Sequence, residues 1–553
     1  LFNSLADKKV MKTLVILFAD FGSLHIFDKI FDGKSAFDRS LEWGKNVCAL
    51  KEFFDDAEIL VFAFEKNEQK CREEIQALGM NIDVISRKNW TVSELFESFS
   101  ELSKEKKADS IIYAWADCPF LNLEVTKEII STHKECLAEY TFADGYPNGL
   151  CPEMIDSGAA SLLFELTKSG AVSGSSSAAF LARTKNVSRE SIFDLIKTDI
   201  NSFEVETVIA DEDASLFRIN FNCATKGNSL GCKAMFKCGV DGKSIAQISE
   251  EACKNADVLK TLPAYYSIQV TDKVLSKVIY HPDEMDSLNG TNFMPLEDFK
   301  KIIRKIADFS ETAVVSLSAW GEATVHTDFV EMVKIVLSEP GLSVLVEGDC
   351  SNISEKMCME LKNICDSAVP RKEGAQENAK IMWLVTLDAF SEEIYSKIHK
   401  GEPENFENSK AAVALLEKYF PGDVFPQFTR MNENEIEFEP FYRFWSNKES
   451  PSKGQIAIQK YDNCFGSLPD RKPADLAPLE RQVCWHLRRD MTILVNGNVP
   501  YARGKLKSDI LGNVLNENIE EIWKKTDSEV KKQINHDYSG KCEKCDEYYT
   551  FNF

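Results

Sequence analysis

The chain has 553 residues, of which 44% are hydrophobic and 28% charged, with a formal net charge of −23. A chain of this length divides into roughly three or four domains, each able to bury its own core. The dispersed acidic surplus excludes nucleic acid and anionic membrane as general partners, and no apolar run reaches the length of a membrane span.

The residues before Met11, grouped as an extension over 1–11, read as a poorly folding lead-in. Thr13–Ala19 is too short for a secretory signal, is bounded by Lys12 and Asp20, and lacks a small-residue cleavage site. Sixteen scattered cysteines without an export signal are expected as reduced thiols in a cytoplasm.

Residues 12–225 alternate strand-like runs with amphipathic helices. Leu14–Ala19, Glu58–Phe64, Ile82–Ser86 and Ile111–Ala116 are the strand candidates, and a helix is expected over about Ser35–Ala49. This is a doubly wound α/β layout, whose ligands bind beyond the carboxyl ends of the strands, where Asp20 and Asp117 fall. Residues 226–260 read as a helical bridge.

A second alternating series fills 261–470. Its strands are expected at Tyr265–Thr271, Val314–Ala319, Ser343–Glu347, Met382–Asp388, Val424–Arg430 and Gln455–Lys460. Phe299, Ile302, Ile303 and Ile306 mark the apolar face of one intervening helix. Six βα units in series predict a partial barrel with its site at the strands' C-terminal ends. His326 and His399 fall on helical or helix-flanking segments and read as structural or exposed histidines rather than ligands.

Residues 471–553 begin Pro-rich and carry a metal-site pattern. Twelve residues separate Cys484 from Gly497, four more lead to Ala502, and Cys542-Glu-Lys-Cys545 follows. A cysteine at position 502 would complete a tetrathiolate cage for zinc or an iron–sulfur cluster. Without it, Cys484, Cys542 and Cys545 need a fourth ligand from His486, His536 or Cys464; a metal-free fold with free thiols is the alternative.

The strings Cys484-Trp-His, Met491-Thr-Ile-Leu-Val-Asn-Gly497, Leu511-Gly-Asn-Val-Leu, Ile519-Glu-Glu-Ile-Trp523 and Cys542-x2-Cys545-Asp546 together resemble the SPASM extension of radical SAM proteins. Trp320-Gly321-Glu322 is similar to that family's GE turn, which meets the methionyl end of S-adenosylmethionine. Val385-Thr-Leu-Asp388-Ala is similar to its S-x-D-A segment. With an α/β domain in front, the arrangement resembles the spiro-SPASM proteins over essentially the whole chain after Met11. The resemblance implies a Cys-x3-Cys-x2-Cys loop after the first barrel strand, where three thiolates hold a [4Fe–4S] cluster that chelates S-adenosylmethionine. In the matching frame, Thr271 to Pro282, the three positions are Val274, Val278 and His281. Valine has no donor atom and one imidazole cannot hold the cluster, so reductive cleavage of S-adenosylmethionine is expected to be absent. Cys223, Cys232 and Cys238 are spaced wrongly to replace it and precede the barrel.

The first domain carries a second resemblance. Ile111-Ile-Tyr-Ala-Trp-Ala-Asp117-Cys-Pro-Phe-Leu is similar to the GT-A-like cytidylyltransferases that activate acidic sugars, which implies a Mg²⁺-binding role for Asp117. Their phosphate-gripping S-x-R-x-x-x-K loop corresponds to Ser23, His25 and Lys29, with histidine in place of arginine. Asp144, in a turn-forming acidic stretch, is placed at the same cleft.

The expected architecture is a nucleotidyltransferase-like α/β domain, a helical bridge, a partial (β/α)6 barrel and a small SPASM-like domain. The leading function is a radical SAM/SPASM relative without its S-adenosylmethionine cluster, acting as a binding or scaffold protein. A Mg²⁺- and CTP-using nucleotidyltransferase, and a radical enzyme with an unconventional cluster, are the alternatives.

Overall fold

The computed structural model describes residues 11–20, 22–169, 186–282, 290–368, 380–474, 480–504, 509–545 and 547. The lead-in before Met11 and Asp546 of the C-terminal motif lie outside the described residues. The chain divides into two compact units, Leu1–Leu259 and Lys260–Phe553.

The first unit is built on a seven-stranded sheet. Its strands are β1 (Met11–Ala19), β2 (Phe54–Phe64), β3 (Asp83–Arg87), β4 (Ser110–Trp115), β5 (Tyr140–Asp144), β6 (Glu153–Asp156) and β7 (Val205–Ile209), in the order β3-β2-β1-β4-β6-β5-β7. From Leu14 to Ala19 β1 is completely buried, as expected of a central strand covered on both faces. It pairs in parallel with β2 and β4. Strand β6 runs antiparallel to both β4 and β5, so the sheet is mixed. The helix Ala36–Cys48 starts at a capping box in which Ser35 and Asp38 satisfy each other's end of the first turn. Helices Lys226–Lys237, Ile245–Lys254 and Ala256–Leu259 complete this unit.

The second unit holds the curled parallel sheet of a partial barrel. Its strands, in chain order, are β8 (Tyr265–Ile268), β9 (Ser276–Val278), β10 (Ala313–Ser316), β11 (Leu342–Gly348), β12 (Ile381–Thr386), β13 (His399–Gly401), β14 (Val424–Arg430), β15 (Ala457–Lys460), β16 (Asp490–Ile493), β17 (Asn498–Pro500) and β18 (Ile510–Asn513). The main sheet runs β15-β14-β12-β11-β10-β8-β16. Helices follow the strands as periodicity requires: in Leu296–Ser310, Phe299, Ile302, Ile303 and Ile306 are all buried.

The strand the sequence did not place in the barrel is β16, which pairs in parallel with β8, Asp490 opposite Tyr265 through Ile493 opposite Ile268. Met491, Ile493, Val499, Ile522 and Trp523 accordingly share one apolar core with the barrel strands and helices. Among the described residues no helix is long and apolar enough to cross a membrane. All sixteen cysteines are free thiols.

Candidate functional site

The loop after β8 lies over the strand ends of the barrel and is fastened there by its backbone and polar side chains. Its short strand β9 pairs antiparallel with β13, with Val278 opposite His399. The amide of Glu322 donates to the carbonyl of Lys273 at 2.8 Å. Gly321 lies so close to this loop that a Cβ there would sit 1.9 Å from the Thr271 carbonyl oxygen, which explains the glycine of the GE turn. Val274 and Val278 are half-buried aliphatic side chains. His281 is buried, its ring edge-on to Trp320 at 5.4 Å, with Nε2 at 3.4 Å from the Trp320 carbonyl and Nδ1 at 3.3 Å from that of Pro282. Burial pushes its pKa down. These residues do not fit an iron–sulfur cluster: two positions offer only carbon, and the third faces backbone carbonyls.

The carboxylates at the strand ends are engaged by the protein's own donors. Glu322 accepts from Thr324 Oγ1 at 2.5 Å and from the Asp349 amide at 2.8 Å. A Cβ on Gly348 would stand 2.4 Å from Glu322 Oε2, so the glycine permits this approach. Burial, reinforced by Asp349, pushes the Glu322 carboxyl up to about 7. Asp388, completely buried at the end of β12 with φ +55°, accepts from Tyr280 Oη at 2.6 Å, His399 Nε2 at 3.0 Å and the Thr429 amide at 2.6 Å.

Asp349 takes hydroxyls from Ser276 at 2.6 Å, Tyr395 at 2.9 Å and Ser409 at 3.0 Å. His399 ties the two carboxylates together, with Nδ1 at 3.2 Å from Ser276 Oγ and its ring stacked 4.2 Å from Tyr395. His399 is therefore structural and buried, and His326, bonded through Nε2 to the Met294 carbonyl, is buried as well.

Sequence reasoning missed Ser276, Asp349 and Tyr395. Asp349, directly after a glycine at a strand's carboxyl end, was the one with a local signal.

Inside the partial barrel a cavity of about 230 Å³ is lined by inward side chains of the sheet, among them Tyr265, Ser267, Glu347 and Gln427. Arg503 closes its mouth: it pairs with Glu347 at 2.9 Å, lies over the Trp320 ring, and its carbonyl accepts from Trp320 Nε1 at 2.7 Å. Cys484, Cys542 and Cys545 line this same cavity, and so do Ala502 and His486. Gly497, at φ +83°, turns the chain between β16 and β17, where a Cβ would strike Leu515. The three thiols and Ala502 thus share one cavity.

Tyr501 Oη lies 3.3 Å from Cys542 Sγ, and the Glu547 amide donates to Cys545 Sγ at 3.4 Å. Burial pushes the Cys484 thiol up to about 12 and raises Cys542 and Cys545 also. Of the candidate fourth ligands, His486 lines the cavity, with Nδ1 held by Asp490 at 2.5 Å. Cys464 is buried behind Gly504, and His536 is exposed on a turn. Among the described residues no three His, Cys, Asp or Glu side chains stand close enough together to hold a metal ion as the side chains are now posed.

In the first unit, Asp117 lies just past β4 and is 1% exposed. Its Oδ2 accepts from Ser23 Oγ at 2.6 Å and from Arg189 Nη2 at 2.7 Å. Lys29 reaches Asp38 at 2.7 Å and Glu74 at 2.5 Å, and His25 Nδ1 meets Asp28 at 2.7 Å. Asp144 is exposed and accepts from the Gly145 amide. The structure brings Ser23 to Asp117 but turns Lys29 to other carboxylates. Arg189 was not foreseen, because its partner is 72 residues away.

No family model matches the chain. A protein of Treponema pallidum (strain Nichols), described as an uncharacterized protein, is 37% identical over 368 residues, covering 66% of this chain and 98% of its own length. A second protein of that organism is 34% identical over 77 residues, 14% of this chain and 34% of that one. Among solved structures, a cytidylyltransferase from Leptospira borgpetersenii is similar at 16% identity and TM-score 0.36, over 45% of this chain and 97% of that one. Streptococcus suis SuiB bound to precursor peptide SuiA is similar at 12% identity and TM-score 0.35, over 51% and 70%. Tagged anSMEcpe with bound AdoMet is similar at 12% identity and TM-score 0.35, over 51% and 86%.

Proposed function

We propose a function from one fixed premise: this chain belongs to the family of the Treponema pallidum protein that it matches at 37% identity. In our reading it is a radical SAM/SPASM-type protein of the spiro-SPASM kind that has lost the S-adenosylmethionine cluster and now binds a ligand without cleaving it. The observation that carries this is the closed polar network at the barrel mouth. Glu322 and Asp388, the residues that the resemblance assigns to S-adenosylmethionine, are buried and satisfied by Thr324, Tyr280, His399 and backbone amides. A cofactor pairing with these carboxylates must displace Thr324, Tyr280 and His399 and leave those buried donors without an acceptor, which is costly. The cluster positions, Val274, Val278 and His281, supply no thiolate to offset that cost.

Binding is supported by the cavity below the network. Ser267 and Gln427 line it, and Ser267 Oγ and Gln427 Oε1 are buried with no hydrogen-bond partner among the described residues. Buried polar atoms left unmatched by protein are the ones a polar ligand can satisfy. Cys484, Cys542, Cys545 and His486 line the same cavity, but as posed they do not converge on one metal position.

The test is anaerobic reconstitution with iron and sulfide, followed by elemental analysis and assay for 5′-deoxyadenosine with a strong reductant. The expected result is no 5′-deoxyadenosine and no four-iron cluster at the loop after β8. Catalytic formation of 5′-deoxyadenosine overturns the reading.

A further inference from the structure

The first unit contains a site whose residue types are those of a metal-dependent phosphate centre but whose pairing is not. A divalent cation on Asp117 needs carboxylate oxygens open to it and a neighbourhood without competing positive charge. Here Asp117 Oδ2 already accepts from both Ser23 and Arg189, at 2.6 and 2.7 Å. The Cys118 thiol lies 3.5 Å from Oδ1. The guanidinium is fixed independently of the carboxylate, lying over the Trp115 ring at 4.5 Å with Nη1 at 3.5 Å from Cys118 Sγ. Trp115 ends β4 and Asp117 lies two residues beyond it, so stacking and ion pairing hold one planar group in one place.

The loop that would grip a triphosphate is also committed elsewhere. Ser23 donates to Asp117, His25 faces Asp28, and Lys29 is shared by Asp38 and Glu74, whose side chains are 3% and 9% exposed. Glu74 takes Lys70 as well, at 2.8 Å. Every cation named here is already matched to a carboxylate, so an incoming polyphosphate finds no unneutralised positive charge in this set.

We infer that Arg189 is a built-in cation occupying the place of a divalent metal at Asp117, so that the first unit is metal-independent and does not transfer nucleotides. A divalent ion at Oδ2 would be repelled by the guanidinium already there and could enter only by displacing Ser23 and an Arg189 that Trp115 and Cys118 hold in place. The residues therefore do not fit the Mg²⁺ centre that the cytidylyltransferase resemblance implies.

Mn²⁺ titration of the full chain, followed by the electron paramagnetic resonance signal of the free ion, tests this. Wild type, Asp117→Asn and Arg189→Lys are expected to bind Mn²⁺ alike. Arg189→Ala is expected to gain one site, at least about tenfold tighter than any in wild type, which Arg189→Ala/Asp117→Asn lacks. Mn²⁺ is also expected to raise the melting temperature of Arg189→Ala and leave that of wild type unchanged. With CTP and Mg²⁺, wild type is expected to release no pyrophosphate. A wild-type Mn²⁺ site that Asp117→Asn removes overturns the inference, as does a folded Arg189→Ala protein that gains no site. Should Arg189→Ala fail to fold, the comparison of wild type with Asp117→Asn still decides.

Discussion

The two strand-end sites of this protein, Asp117 in the first unit and Asp388 in the barrel, have the same placement and have been neutralised in different ways. Asp117 is matched by one long-range cation, Arg189, whose side chain is 31% exposed. Asp388 is matched by hydroxyl and amide donors and a histidine, and the Asp388 and His399 side chains are both without solvent exposure. A carboxylate paired with a half-exposed cation can be released by a single substitution. One held by several interlocked donors is part of the core. The first site is therefore expected to change its ligand properties when altered, and the second to change stability.

Asp388→Ala is the harshest way to break this comparison. It leaves Tyr280, His399 and the Thr429 amide without their shared acceptor, and removal of one member of a buried polar set costs about 3–5 kcal/mol. Urea denaturation should show that loss in the transition of the second unit, with the transition of the first unmoved. An effect below about 1 kcal/mol would make the network peripheral.

Glu322 sharpens the comparison through pH. Its folded carboxyl is pushed from an ordinary 4.5 up to about 7, so the folded state holds a proton that the unfolded chain has released. Stability from this group is fully present below 4.5 and is lost as pH rises through about 7. Glu322→Gln removes the titration while keeping the shape. Wild type should therefore lose up to roughly 3 kcal/mol relative to this variant between those two pH values, measured by chemical denaturation. Parallel profiles would show that Glu322 ionises normally.

The smallest effect is expected at Lys34→Ala, whose side chain is 47% exposed and whose partner Glu42 is 37% exposed, since solvated pairs are worth about 1 kcal/mol or less. A small loss that shrinks in high salt would confirm that the first unit's cations sit in screened surroundings. A loss as large as that of Asp388→Ala would erase the contrast.

The local signals in the chain were strong where structure repeats along it. The helix at Ala36–Cys48 and the strand at Val424–Arg430 lie where periodicity put them, as does the buried face of Leu296–Ser310. Short strands such as β6 were not legible, because four residues carry no period to detect. Position 502 was legible as a gap only because its neighbours in the pattern kept their spacing, and the structure places Ala502 in the cavity with the three thiols.

By itself, the order of residues determined the α/β alternation, the metal-ligand types on offer and the absence of thiols in the loop after β8, since each follows from side-chain chemistry or short-range periodicity. Only the tertiary structure decided which charges meet. Arg189 reaches Asp117 across 72 residues, Ser276 reaches Asp349 across 73, and β16 joins β8 from the far end of the unit. Pairings over such separations are selected by packing and by the cost of leaving a buried charge alone, and neither leaves a trace in local sequence.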